Sequence, residues 1–194
     1  IIVDDAVADE YVAKFAARAK ELPLGDPAAQ SVCVLGPVIS TNAAERLKGL
    51  LDDAVSKGAR IVAGGHGDGV LMPATVLDGV TSDMRIYSEE TFGPILSIIR
   101  AKDTDDAVRI ANDTEFGLSS SVFGKDVTRV LDVARRIDTG SVHINGSTVS
   151  NEAQAPYGGT KSSGFGRFDG RAVIDEFTEL KWITIEQSSQ GYPF

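Results

Sequence analysis

Two stretches of the 194-residue chain carry side chains whose type and spacing could do chemistry. The first is Ser88-Glu89-Glu90-Thr91-Phe92-Gly93-Pro94, in which two acids and an aromatic stand just before an apolar run. In extended backbone, residues i and i+2 face the same way, so Glu90 and Phe92 are expected to point together and Glu89 oppositely. A carboxylate can accept hydrogen bonds from both hydroxyls of a sugar diol while a ring packs on a flat heterocycle. Spacing alone equally allows a charged turn beside a core phenylalanine. The second stretch is Pro156-Tyr157-Gly158-Gly159-Thr160-Lys161-Ser162-Ser163-Gly164-Phe165-Gly166-Arg167, whose glycines permit close backbone approach or positive φ. A phosphate cradle is disfavoured there. Gly164-x-Gly166 has Asp169 where a third glycine would stand, and no Gly-Lys-Ser/Thr ending follows.

Other reactive types read as structural. Cys33 lies in the apolar run Ser-Val-Cys-Val-Leu with no histidine nearby in sequence, which suits a buried, inert thiol. His143 sits in Val142-His143-Ile144-Asn145, a strand pattern, and reads as a satisfied core or edge histidine. With one cysteine and two distant histidines (His66 and His143), an internal disulfide is impossible and no metal centre is expected.

Composition narrows the class further. Hydrophobic residues make up 42% and charged residues 24%, as in ordinary globular domains. Nineteen Lys and Arg against 28 Asp and Glu give −9, and an acidic surface works against binding phosphate backbones, so no nucleic-acid partner is expected. No apolar run reaches the roughly 18 residues of a membrane span, and a cytoplasmic location without membrane association is the simplest expectation. Ile1-Ile2-Val3 already reads as part of a strand, so the chain is expected to be a segment of something longer.

The elements that must position these residues alternate. Ile1–Val3 predicts a strand. Val7, Tyr11, Phe15, Ala19 and Leu22 then predict one face of a helix. Ser40 or Thr41 can cap a second helix, with Ala44, Leu47, Leu51, Ala54 and Val55 inward and Gly58 ending it. Strands are expected at Ala59–Ala63, Ile95–Ile99, Ser119–Phe123 and Ser141–Asn145, and Leu71–Leu77 is expected to be extended. Helices are expected at Thr104–Asn112 and Asp126–Ile137. In the latter, Val130, Leu131, Ala134 and Ile137 share one side. Gly146–Gly170 reads as a long binding loop or lid. A short helix near Arg171–Glu176, a final strand Lys181–Ile185 and a poorly ordered tail Gln187–Phe194 complete the expectation. Strands alternating with helices of about ten to fifteen residues imply an α/β fold with a largely parallel sheet.

Taken in order, several motifs resemble the aldehyde dehydrogenase superfamily. They are Gly25-Asp26-Pro27 with Gly36-Pro37, Gly58-Ala59-Arg60 leading to Gly64-Gly65, and Glu89-Glu90-Thr91-Phe92-Gly93-Pro94. Then follow Ala111-Asn112-Asp113-Thr114-Glu115-Phe116-Gly117-Leu118-Ser119, Gly140-Ser141-Val142-His143-Ile144-Asn145, and Pro156 through Gly164. The resemblance spans about residues 1 to 186. It implies a three-layer α/β catalytic domain with helices on both faces of the sheet, of which residues 1–176 are the C-terminal part. Residues 177–194 would form a terminal strand and tail, an oligomerisation arm of a homodimer or homotetramer.

The resemblance also implies that Glu90 binds the ribose next to the nicotinamide of NAD or NADP and that Phe92 contacts the nicotinamide end. Asn145–Tyr157 would line the substrate tunnel, with Asn151 and Tyr157 as substrate contacts. Ile-Asn-Gly-Ser-Thr-Val followed by Glu-Ala-Gln-Ala-Pro-Tyr is similar to the branch acting on salicylaldehyde, benzaldehyde and vanillin. Ser147 stands where that branch often has proline. In the family a cysteine thiolate attacks the aldehyde, amides steady the oxyanion, hydride passes to the cofactor, and a glutamate base activates water. Those catalytic residues would lie upstream of Ile1, so none is assigned here and this chain is expected to be inactive alone. Where some relatives use Gln and Lys on the adenosine ribose, this chain has Ala43 and Arg46. Two alternatives stay open: a non-catalytic assembly module, and a semialdehyde- or acyl-phosphate-reducing enzyme on the same fold.

Overall fold

In the computed structural model, residues 1–29, 32–188 and 191 are described, so most of the tail expected to be poorly ordered lies outside them. The chain divides into two compact units, Ile1–Thr114 and Glu115–Phe194.

Unit one runs β1 (Ile2–Asp4), α1 (Asp5–Lys20), α2 (Thr41–Ser56), β2 (Arg60–Ala63), β3 (Thr75–Asp78), α3 (Arg85–Ser88), β4 (Ile95–Ala101) and α4 (Thr104–Asn112). Its sheet has the order β1-β4-β3-β2, with β1 and β3 parallel to β4 and only β2 antiparallel. Short polar caps start the helices where the sequence placed them. The Asp4, Ser40 and Asp103 side chains accept from the backbone N–H of Ala6, Ala43 and Asp106. Residues alternate across β3 and β4. Val76 and Ile98 pack with α1 on one face, while Leu77 and Ile95 pack with α2 on the other. Every residue of β3 is buried, as a strand covered on both faces must be.

The inward faces of the two long helices differ from the expected ones. In α1 Ala19 is buried as expected, but the rest of the buried set is Ala8, Val12 and Ala16, one position round from Val7, Tyr11 and Phe15. Small side chains let the helix sit close to the sheet. Tyr11 and Phe15 stack on each other at the margin, 5.7 Å between ring centres, and Val7 and Leu22 stay exposed. In α2 Leu50 takes the inward place expected of Val55, which is exposed. The extended stretch narrows to Thr75–Asp78, and α3 was not foreseen, since four residues carry no period.

One charge is buried in this core. Asp78 is 1% exposed at the end of β3. Arg60 Nη2 donates to it at 2.6 Å, and Arg100 donates from Nε at 3.1 Å and Nη2 at 3.0 Å. Arg100 also reaches Asp9 of α1 at 2.7 Å, so one guanidinium joins helix to sheet. Burial pushes the Asp78 carboxyl up, but the hydrogen bonds from Arg100 and Arg60 outweigh it and leave the group below its ordinary 3.8.

Unit two runs β5 (Phe116–Gly117), β6 (Ser119–Val122), α5 (Val127–Ala134), β7 (Ser141–Ile144), β8 (Thr160–Lys161) and α6 (Ala172–Phe177). β6 and β7 are parallel, joined through α5, and β5 pairs antiparallel with β8. In α5, Val130 and Ala134 are buried while Leu131 is exposed. The loop expected over Gly146–Gly170 is partly built. It contains β8 and a mutual backbone pair in which Tyr157 N donates to Phe168 O at 2.8 Å and Phe168 N to Tyr157 O at 2.7 Å. The expected strand Lys181–Ile185 is not formed, and Trp182 is 91% exposed. Apolar residues can shape a strand but cannot supply its partner, and no described residue pairs with this segment.

A folded carboxylate with a depressed pKa contributes stability that is full above its unfolded value and is lost as pH falls through its folded value. We expect Asp78→Asn to cost about 3 kcal/mol near neutral pH, because two arginines lose their buried counter-charge. The difference from wild type should shrink as pH falls below 3.8, with urea denaturation across pH as the measurement. A pH-independent difference would contradict this account.

Candidate functional site

The connection from β3 to β4 must return to the start of a parallel neighbour, which takes a crossover of a dozen or more residues. Here it runs over the α2 face, where Val80, Met84 and Ile86 join the core. Its last segment, residues 89–94, is the acid-and-aromatic stretch. At the end of α3, the Tyr87 hydroxyl donates to Asp113 Oδ2 at 2.8 Å, and burial followed by that bond pushes its pKa up to about 12. Pro94 O accepts from Thr75 N at 2.8 Å, so the loop finishes as part of the sheet.

The two adjacent acids have different surroundings. Glu89 receives Arg85 Nε at 2.7 Å and Nη2 at 3.0 Å, and the hydrogen-bonded guanidinium holds its carboxyl below its ordinary value. Glu90 is exposed, and among the described residues no side chain bonds its carboxylate. Only its backbone is engaged: Arg46 Nη1 donates to Glu90 O at 3.2 Å, while Nη2 donates to Thr91 O. Phe92 is 77% exposed and has φ +48°. The segment is therefore not extended throughout, and simple i/i+2 alternation does not hold at Phe92. Gly93 is required by contact. A Cβ there would lie 2.4 Å from Leu47 Cδ1, a side chain wholly buried in the core.

In unit two the segment after β7 is fixed by its backbone. Asn145 adopts φ +54°, its Oδ1 accepts from Gly124 N at 2.9 Å, and its Nδ2 donates to Gly124 O at 3.0 Å. From β6, Ser121 Oγ donates to Gly146 O at 2.7 Å and Ser119 Oγ to Thr148 O at 3.0 Å. Asn151 is exposed and its amide reaches Asp169 Oδ2 at 3.4 Å. Tyr157 is held by the Phe168 pairing with its ring partly open to solvent. The glycine-rich stretch is closed on itself. Arg167 Nη1 donates to Gly159 O and Gly166 O, and a Cβ on Gly140 would meet Gly158 O. Those glycines serve close packing.

Glu90 and Phe92 thus belong to one unit, and Asn151 and Tyr157 to the other. Cys33 is partly buried, its thiol donating to Gly25 O and Leu35 O at 3.3 Å. His143 is half-buried in β7. Among the described residues no cluster of His, Cys, Asp or Glu could hold a metal ion, and no helix is long and apolar enough to cross a membrane. The contact of Arg46 with the carbonyls of Glu90 and Thr91 was not foreseen. Nothing in its distance from residue 90 along the chain signals the contact, although its place on α2 beside Leu47 was legible.

A sequence model of the aldehyde dehydrogenase family matches residues 1–183. The chain belongs to the aldehyde dehydrogenase family. It is 62% identical over 194 residues to a salicylaldehyde dehydrogenase of Pseudomonas putida, covering 100% of this chain and 40% of that one. A vanillin dehydrogenase of Pseudomonas fluorescens is 47% identical over 193 residues, again with 100% and 40% covered. The crystal structure of a salicylaldehyde dehydrogenase from Pseudomonas putida G7 complexed with salicylaldehyde superposes with a TM-score of 0.93 at 60% identity, covering 100% of this chain and 40% of that one. A Mycobacterium tuberculosis aldehyde dehydrogenase complexed with NAD+ gives 0.88 at 33% identity, covering 98% and 40%. The chain thus spans about 40% of the length of these relatives.

Gly93→Ala should destabilise the fold by about 1–3 kcal/mol through the clash with Leu47. Leu47→Ala opens space at the same place, so the double variant should lose clearly less than the sum of the singles. A double-mutant cycle by thermal denaturation reads the coupling, and additive losses would remove Leu47 as the cause.

Proposed function

We propose that this chain is the C-terminal part of the catalytic domain of an NAD- or NADP-dependent dehydrogenase that oxidises an aromatic aldehyde to its carboxylic acid. The observation that carries the reading is the contrast between the two adjacent acids. Arg85 occupies Glu89, whereas Glu90 presents a carboxylate with no protein partner among the described residues, two positions from an exposed ring. A ligand with a diol next to a flat heterocycle fits those two groups. Glu90 would hold the ribose beside the nicotinamide and Phe92 the nicotinamide end. The chemistry the cofactor supplies when bound is acceptance of hydride.

Asn145–Tyr157 forms part of the substrate wall in this reading, with Asn151 and Tyr157 as contacts. Similarity to the salicylaldehyde and vanillin dehydrogenases supports an aromatic substrate. The nucleophilic cysteine, the oxyanion amide and the general base belong to the remainder of the protein, so this chain supplies cofactor grip and substrate wall only. Residues 177–194 act as an assembly arm of a homodimer or homotetramer. The exposed Leu180, Trp182, Ile183 and Ile185 support that role, because such a row needs a partner to cover it. The enzyme works in the cytoplasm.

In the full-length enzyme, Glu90→Gln should raise the KM for the cofactor by about tenfold, the loss of hydrogen bonds to a charged acceptor. The KM for an aromatic aldehyde should stay within a factor of about two. The purified 194-residue chain should form no NADH from aldehyde. Steady-state kinetics with benzaldehyde and NAD or NADP test all three expectations. An unchanged cofactor KM removes Glu90 from the site, and turnover by the chain alone removes the assignment of its catalytic groups elsewhere.

A further inference from the structure

We propose that Arg46 is a positioning residue for the cofactor loop, setting cofactor affinity through the backbone of Glu90 and Thr91. The inference rests on the reading of Glu90 and Phe92 given above and adds to it the device that holds them. One guanidinium bridges two successive carbonyls, Glu90 O from Nη1 and Thr91 O from Nη2. Arginine suits this use, because its planar fork offers parallel donors fixed relative to one another. Two fixed carbonyls fix two peptide planes, and with them the directions in which Glu90 and Phe92 leave the chain.

The loop needs such a clamp. Phe92 has φ +48°, a region that side-chain-bearing residues adopt only when their surroundings impose it. The clamp acts on the preceding two residues, and the Gly93–Leu47 contact acts on the following one. Arg46 and Leu47 are neighbours on α2, and α2 itself is held by Ala44, Leu47, Leu50, Leu51 and Ala54 in the core. The rigidity of a packed helix is passed in this way to an exposed loop. Glu89 takes no part, since its carboxylate is engaged by Arg85.

The test uses the full-length enzyme and measures NADH dissociation constants by fluorescence beside steady-state kinetics. Arg46→Gln should weaken NADH binding by about tenfold and raise the cofactor KM in parallel. The KM for aldehyde and kcat should stay within about twofold, a split that general loss of structure would not produce. Arg46→Lys keeps charge and stem but lacks the rigid fork, so it should fall between wild type and Arg46→Gln. If Arg46 acts through Glu90, the double variant Arg46→Gln/Glu90→Gln should bind NADH about as weakly as Glu90→Gln alone. Wild-type affinity in either folded Arg46 variant overturns the proposal, and so do additive losses in the double variant, which would mean direct contact with the ligand. Failure of the wild-type enzyme to bind either NADH or NADPH overturns the reading of the loop itself and this inference with it.

Discussion

Burial of β3 on both faces is the constraint on which the first unit depends. Its side chains alternate between two cores, Val76 on the α1 side and Leu77 on the α2 side. A slip of one residue would exchange the two faces, which neither core could accommodate. At one end, Thr75 receives the loop carbonyl of Pro94 through its N–H, and its hydroxyl bonds the backbone of Gly65. At the other end, Asp78 gathers Arg60 and Arg100. The strand is therefore tied in register by packing, by backbone pairing and by charge together.

The candidate cofactor loop follows from that arrangement. Because β4 runs parallel to β3, the chain must cross back over the α2 face and arrive beside the start of β3. The crossover ends against α2, where Leu47 excludes a side chain at residue 93 and Arg46 meets the carbonyls before it. The second unit holds its loop differently. There, hydroxyls of alternate residues on β6, Ser119 and Ser121, take the carbonyls of Thr148 and Gly146, and the Asn145 amide closes on Gly124. In both units, side chains binding loop carbonyls give irregular backbone a definite shape.

The order of strands and helices was legible because period and caps are local signals. Ser40 caps α2 as expected, and Asp126, expected as the first residue of its helix, caps α5 instead. The inward face of α1 was not legible. Periodicity favoured the large residues, whereas close packing on the sheet selected Ala8, Val12 and Ala16, with only Ala19 common to both faces. Glu90 and Phe92 stood out by residue type, but their surroundings depend on Arg46, 44 positions away along the chain. The positive φ of Phe92 also lay beyond residue type, since phenylalanine carries no preference for it. The segment at Lys181–Ile185 shows the opposite limit. Its apolar pattern was read as a strand, but pairing is a property of two segments, and no described residue pairs with this one.

The pairing of β1 with β4 has a consequence for how the chain acquires its structure. Ile2 lies opposite Ile99, so the first strand finds its neighbour only after α1, α2, β2, β3 and α3 have intervened. Such contacts carry a large loop-closure entropy and form late. By contrast, β6 meets β7 across a single short helix, with Ser119 opposite Ser141. The core under α1, which Ala63 and Val76 also line, is therefore completed only when Ile98 arrives, while the second unit can close its parallel pair over a short stretch of chain.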